Sequence, residues 1–114
     1  MRRFGIILLL FFAIFSSAAE SVNEKISGGS GKARIENPVS ITRKDGKTFA
    51  RLVWTSRNFD YMIVGGKKYM NENAGGKSTF TVQIPDGAKK VEVTADTTAM
   101  SRPHEIEYLI EFEE

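Results

Sequence analysis

Apolar and polar residues alternate along most of this chain, and turn-forming residues interrupt the alternation about every eight to twelve positions. Phe80-Thr81-Val82-Gln83-Ile84 is the clearest of these runs. A period of two is typical of a half-buried β-strand, and no window of the sequence has the roughly 3.6-residue period of an amphipathic helix. The pattern therefore predicts an all-β fold, an immunoglobulin-like antiparallel β-sandwich of about seven strands.

Two glycines mark the strongest hairpin signal. Strand-like residues 61–64 and 67–70 flank Gly65-Gly66, and paired glycines accept the positive φ angles of a tight turn. The alternation also predicts which apolar residues share one core. They are Phe80, Val82, Ile84, Val91, Val93, Ile106 and Ile110.

The N-terminus has the pattern of a secretory signal peptide. Arg2 and Arg3 precede an apolar stretch over residues 4–15, and Ser16-Ser17-Ala18-Ala19 supplies small residues for cleavage. The stretch is shorter than the roughly 20 apolar residues that a spanning helix needs. We expect an exported protein, periplasmic or extracellular. The predicted division is a signal peptide (1–19), a flexible N-terminal segment or frayed first strand (20–31) and a β-sandwich domain (32–114).

The excess positive charge of the chain lies in this leader. The whole chain has 16 Lys and Arg against 14 Asp and Glu, and the two numbers become equal without Arg2 and Arg3. A neutral domain has no field that attracts a polyanion. We therefore expect no nucleic-acid partner.

Templates for catalysis are missing from the sequence. The chain has no cysteine, and its single histidine, His104, has no Ser or Asp at a recognised spacing. Gly28-Gly29-Ser30-Gly31 is not followed by the Lys-Ser/Thr and helix that a phosphate-binding loop requires. We expect a non-catalytic protein.

Thioether and imidazole groups are the distinctive chemistry that remains. Met100 lies four residues before His104 in a loop without the alternation that would bury it, and Met62 and Met70 lie in the predicted hairpin. Such ligands favour copper, or haem iron with mixed axial ligands. Methionine also fills irregular gaps in cores, which is the favoured role for Met62 and Met70. Anchoring of the loop is the alternative role for Met100. A hydrogen-bonded structural role is the corresponding alternative for His104.

The last strand resembles the closing strand of near-iron-transporter (NEAT) domains. The similar residues are His104-Glu105-Ile106-Glu107-Tyr108-Leu109-Ile110-Glu111-Phe112. NEAT domains are exported immunoglobulin-like sandwiches that bind haem and carry a Tyr-x-x-x-Tyr motif on that strand. Tyr108 matches the second tyrosine, and His104 stands where the iron-ligating first tyrosine would be.

A second segment adds to this resemblance. Residues 45–56 look like the second strand of that family and the start of its haem-covering lip, which would place Ser56 near a propionate. Residues 56–112 are also similar to small exported domains linked to bacterial iron transport.

The leading hypothesis is an exported, non-catalytic binding module that holds haem or a transition metal for uptake, with a membrane transporter or surface receptor as partner. Its candidate ligands are His104 and Met100. Its candidate pocket residues are Ser56, Tyr61, Met62 and Tyr108. One alternative is a periplasmic copper-binding protein that uses Met62, Met70, Met100 and His104. The other is a structural or adhesive immunoglobulin-like module with a protein partner.

The mature chain is predicted to begin near Glu20 and to be found outside the cytoplasm, because the small residues 16–19 precede Glu20 directly. Intact-mass analysis of exported protein should give a chain that lacks residues 1–19. A retained Met1 in the exported protein would contradict this cleavage.

Overall fold

The structure is a computed structural model, and it describes residues 18–99 and 104–113. Over these residues the chain forms eight β-strands and no helix, which confirms the predicted all-β fold with one strand more than expected. The strands are β1 (Ala18–Gly28), β2 (Val39–Lys44), β3 (Lys47–Val53), β4 (Phe59–Val64), β5 (Lys67–Met70), β6 (Thr79–Ile84), β7 (Lys90–Thr97) and β8 (His104–Glu113). Among the described residues, therefore, no helix is long and apolar enough to span a membrane.

Two antiparallel sheets form the sandwich, and β1 belongs to both. Its first residues, Ala18 to Val22, pair with β2, and its last residues, Asn23 to Gly28, pair with β8. One sheet contains β1, β2, β3 and β6, and the other contains β1, β8, β7, β4 and β5. The two sheets are thus continuous through β1, and β5 and β6 are the edge strands.

The N-terminal segment, for which a flexible stretch and a frayed first strand were the alternatives, forms a strand over most of its length. Residues 20–28 form most of β1 and have a hydrogen-bonded neighbour along their whole length. Val22 and Ile26 pack against the core, but Glu24 lies at the inward position between them. A carboxylate at an inward position breaks the apolar alternation, so the sequence alone could not decide between a strand and a flexible stretch. The signal peptide itself lies almost entirely outside the described residues.

The hairpin and the core follow the sequence pattern closely. Val64 pairs with Lys67, and Gly65 and Gly66 have φ angles of 60° and 80°. Of the predicted core residues, Phe80, Val82, Ile84, Val93 and Ile110 are buried, and Val91 and Ile106 are partly buried against them. Inward residues of both sheets therefore meet in one core, as a period of two requires.

Replacing Val82 or Ile110 with Ala should lower the free energy of unfolding by about 1–4 kcal/mol, because each is 1% exposed and its loss leaves a cavity. Urea denaturation measures the change. Glu111→Ala, on the exposed face of β8, is the matched control and should change stability by less than about 0.5 kcal/mol. Equal small effects at all three sites would mean that the strand faces are reversed.

Candidate functional site

Three aromatic rings close the core at one end of the sandwich. Trp54, which follows β3, stacks on Phe59 at the start of β4 with ring centroids 4.1 Å apart. Tyr108 of β8 meets both rings edge-on, at 5.3 Å from Trp54 and 6.4 Å from Phe59. Offset and edge-to-face pairs of this kind add stability beyond the area they bury. The cluster gives this end of the fold a rigid apolar floor.

Tyr108 is held in this cluster by the end of β1. The ring is 5% exposed, and burial raises the pKa of its phenol. A Cβ at Gly28 would lie 2.5 Å from the Glu107 carbonyl oxygen, and one at Gly29 would lie 3.3 Å from Tyr108 Cε1. Only glycine allows the backbone to approach this closely. Tyr108, predicted as a pocket residue, thus lies mainly in the core.

The connection between β3 and β4, residues 55–58, lies over the edge of the aromatic cluster. The Ser56 hydroxyl accepts a hydrogen bond from the Asn58 N–H at 3.0 Å, which closes a short turn. Ser78 fixes the turn from below, because its N–H donates to the Ser56 carbonyl at 2.9 Å and its hydroxyl accepts from the Phe59 N–H at 3.0 Å. Polar side chains of this size commonly stabilise turns in this way.

This connection is tied to the end of the β7–β8 hairpin. The N–H and the hydroxyl of Thr98 both donate to the Asn58 carbonyl, at 2.7 Å and 3.0 Å. Thr97, the last residue of β7, pairs with His104, the first residue of β8. His104 therefore lies next to this contact. His104 is exposed and lies in phase with the inward residues Ile106 and Tyr108. The structure therefore brings Ser56 and His104 to the same end of the fold.

Met100 lies outside the described residues, so its predicted partnership with His104 stays a prediction. The other two methionines point to opposite faces of one sheet. Met62 is fully buried, whereas Met70 is 60% exposed on β5 and pairs with Tyr61. They do not share a site. Among residues 18–99 and 104–113, no group of three or more His, Cys, Asp or Glu side chains is placed to hold a metal ion.

Tyr61 lies on the outer face of its sheet, away from the inward phase of His104 and Tyr108. Its hydroxyl donates a short hydrogen bond to the Glu105 carboxylate, and the Lys68 ammonium lies 4.0 Å above its ring. The bond to Glu105 raises the pKa of Tyr61 to about 12. Through this hydrogen bond and this cation–π contact, Tyr61 belongs to a polar cluster on the outer surface.

Two aspartates, Asp60 and Asp96, lie beside Tyr61. Asp96 is 2% exposed, and its Oδ2 has no hydrogen-bond partner among the described residues; the same holds for Oδ1 of Asp60. Burial, and then the neighbouring Asp60, raise the pKa of Asp96, with a smaller contribution from Glu105 and an opposing one from Lys68. Asp60 stands where the pairing of β4 with β7 shifts by one residue. The register places Asp96 opposite Tyr61 and Glu105 on the outer face, where alternation alone predicts an exposed side chain.

Two grooves of about 500 Å³ each lie elsewhere on the surface. One is on the outer face of β4, β7 and β8, around Gly65, Gly66 and Leu109. The other follows the second half of β1, beside Glu24 and Arg34. Of the predicted pocket residues, Tyr108 lines the first groove, and neither groove is lined by Ser56, Tyr61 or Met62. A planar ligand at the aromatic end would need the β3–β4 connection and the hairpin to part.

The fold is similar to that of a known haem-binding domain. The similar structure is a mutant of the IsdX2 NEAT5 domain in complex with haem, with a TM-score of 0.66 over 87% of this chain and 97% of that chain. The sequence identity is 13%, so the likeness concerns the fold. No protein-family profile and no curated protein sequence matches the chain. The architecture is thus NEAT-like.

Asp96→Asn should remove a pH dependence of stability. Folding raises the pKa of Asp96 above its ordinary 3.8. Between the pKa of the unfolded chain and the raised pKa of the folded chain, the folded protein keeps a proton that the unfolded chain has lost. The free energy of unfolding therefore falls as the pH rises through this range. Asn cannot ionise. Urea denaturation between pH 3 and 7 should therefore show the variant gaining stability relative to the parent as the pH rises. A difference that is constant with pH would contradict the raised pKa.

Proposed function

We propose that this chain is an exported, non-catalytic module that binds haem where the β3–β4 connection meets the β7–β8 hairpin. The observation that carries the proposal is the likeness of the whole fold to a NEAT domain solved in complex with haem. The position of His104 supports the same end of the sandwich, because it begins β8 at the contact between these two segments.

His104 is the proposed ligand of the iron. Its imidazole is exposed, so a ligand can reach it without unfolding the core. It also shares the inward phase of β8, which directs it toward the side where the aromatic rings lie. Imidazole is a common axial ligand of haem, and a thioether completes mixed ligation in other haem proteins. Met100, four residues before His104 in the sequence, is the proposed second ligand.

The aromatic cluster is the proposed surface for the porphyrin. Trp54, Phe59 and Tyr108 form an apolar floor directly beneath the β3–β4 connection. Two hydrogen bonds to one carbonyl, that of Asn58, close this end. Their rupture would expose the rings while β3 stays paired with β2 and β6, and β4 with β5 and β7. Ser56 at the rim, whose hydroxyl holds the turn, would then be available to a propionate.

The placement of the methionines favours haem over copper as the ligand. A copper site built from Met62 and Met70 needs both sulfurs on one side of the sheet, but Met62 is fully buried and Met70 is 60% exposed on the other face. We therefore propose uptake of haem, with transfer to a membrane transporter or surface receptor.

Haemin titration of the purified chain tests the proposal. A Soret band should appear at one haemin per chain, and His104→Ala should weaken binding by at least about tenfold, or 1.4 kcal/mol. Glu107→Ala, on the outer face of the same strand, is the matched control and should bind like the parent. Met100→Ala should change the position of the band, because it removes the proposed second ligand. No Soret band with the folded parent would overturn haem binding.

The same titration at different pH values tests the type of ligand. Protons compete with iron for an imidazole nitrogen, so affinity should fall below about pH 6. An affinity that stays constant from pH 7 to 5 would exclude ligation through His104.

A further inference from the structure

Strand β6 is an edge of its sheet, and its own residues include neither the charges nor the proline that usually protect an edge strand. Its sequence, Thr79-Phe80-Thr81-Val82-Gln83-Ile84, contains no charge and no proline. It consists mainly of β-branched and aromatic residues, and β3 covers only one side of it. Edge strands are normally blunted by lysine, proline or a bulge, and an uncharged strand without them pairs readily with another chain.

The outward N–H groups of β6 are instead capped by three side chains. Tyr69 lies on β5, and Asn71 and Glu72 follow that strand. Asn71 Oδ1 accepts the Thr79 N–H at 2.9 Å, Glu72 Oε2 accepts the Thr81 N–H at 2.6 Å, and Tyr69 Oη accepts the Gln83 N–H at 3.1 Å. We call Tyr69, Asn71 and Glu72 the clasp.

The clasp imitates a neighbouring strand. Its acceptors fall on every second residue of β6, which is the spacing of ladder bonds on one side of a strand. Glu72 adds a backbone bond, from its own N–H to the Thr79 carbonyl at 2.9 Å, and its other carboxylate oxygen accepts the Thr81 hydroxyl at 3.3 Å. The central acceptor is a carboxylate, and bonds to ionised acceptors are the stronger ones.

We propose that the clasp keeps the chain monomeric by occupying a strand-pairing surface that would otherwise bind β6 of a second copy. Two β6 edges can pair antiparallel about a two-fold axis, because the same donors and acceptors then face each other from both chains. No charged side chain within β6 opposes this pairing. A second copy fits the edge better than a charged peptide, since the edge offers backbone groups and no ionic partner.

Sedimentation velocity of the full mature chain tests the proposal with the variant Tyr69→Phe/Glu72→Ala. It removes two of the three acceptors and keeps the Tyr69 ring. The parent should stay monomeric. The variant should form dimers, and its dimer dissociation constant should be at least about tenfold lower than that of the parent. Glu72→Gln, which keeps an oxygen acceptor in its side-chain amide, is the matched control and should stay monomeric like the parent.

A third substitution identifies the surface that pairs. Thr81→Lys, added to the double variant, places a charge at the centre of the exposed edge and should restore the monomer. A double variant that is folded but monomeric at all concentrations would overturn the proposal. So would a dimer that Thr81→Lys leaves unchanged, because the contact would then lie elsewhere.

Hydrogen exchange of the unmodified chain tests the clasp without any variant. The Thr81 and Gln83 amides lie on an edge, where exchange is normally fast, but the clasp should slow them by about a hundredfold or more. Exchange at the rate of an open edge would show that the clasp does not form in solution. This result and the haemin titration are independent, so the two proposals can fail separately.

Discussion

The membership of β1 in both sheets is the constraint on which the rest of the structure depends. Between Val22 and Asn23 the strand leaves β2 and joins β8. At this point Glu24 turns inward, and burial raises the pKa of its carboxyl. The Asn37 side chain bonds to the Glu24 backbone through its oxygen at 2.7 Å and through its amide at 3.2 Å. An amide that satisfies both backbone groups thus completes the ladder where β1 changes partner.

The aromatic end is built on the same strand. Because β1 ends at Gly28 and Gly29 follows it, the backbone there can lie directly on Tyr108, and Tyr108 in turn contacts Trp54 and Phe59. The floor of the proposed haem site is therefore fixed by β1, which lies far from it in sequence. The cover is different in kind. It is a short connection held to the hairpin through one carbonyl, that of Asn58.

The sequence predicted the strands wherever one face is apolar and the other polar. β6 and the Gly65-Gly66 hairpin lie where alternation and turn chemistry placed them. For β1 the sequence left a flexible stretch and a frayed strand as alternatives, because Glu24 occupies an inward position. The burial of Asp96 beneath its outer-face neighbours could not be predicted, because aspartate is normally exposed. The predicted pocket also grouped Tyr61 with Tyr108, although the two lie on opposite faces of one sheet. Such a grouping depends on register between strands, which a single strand cannot encode.

Ser78 connects the β3–β4 connection to the start of strand β6. Its three polar groups bond to Trp54, Ser56 and Phe59 around the β3–β4 connection. The next residue, Thr79, is the first one that Asn71 holds at the edge of β6. A ligand that lifts the connection must therefore either stretch the bonds to Ser78 or pull the start of β6 with it. In the second case, the same displacement would weaken the hydrogen bond between Asn71 and Thr79 at the edge of β6. Ligand binding at the β3–β4 connection would then change the stability of the β6 edge.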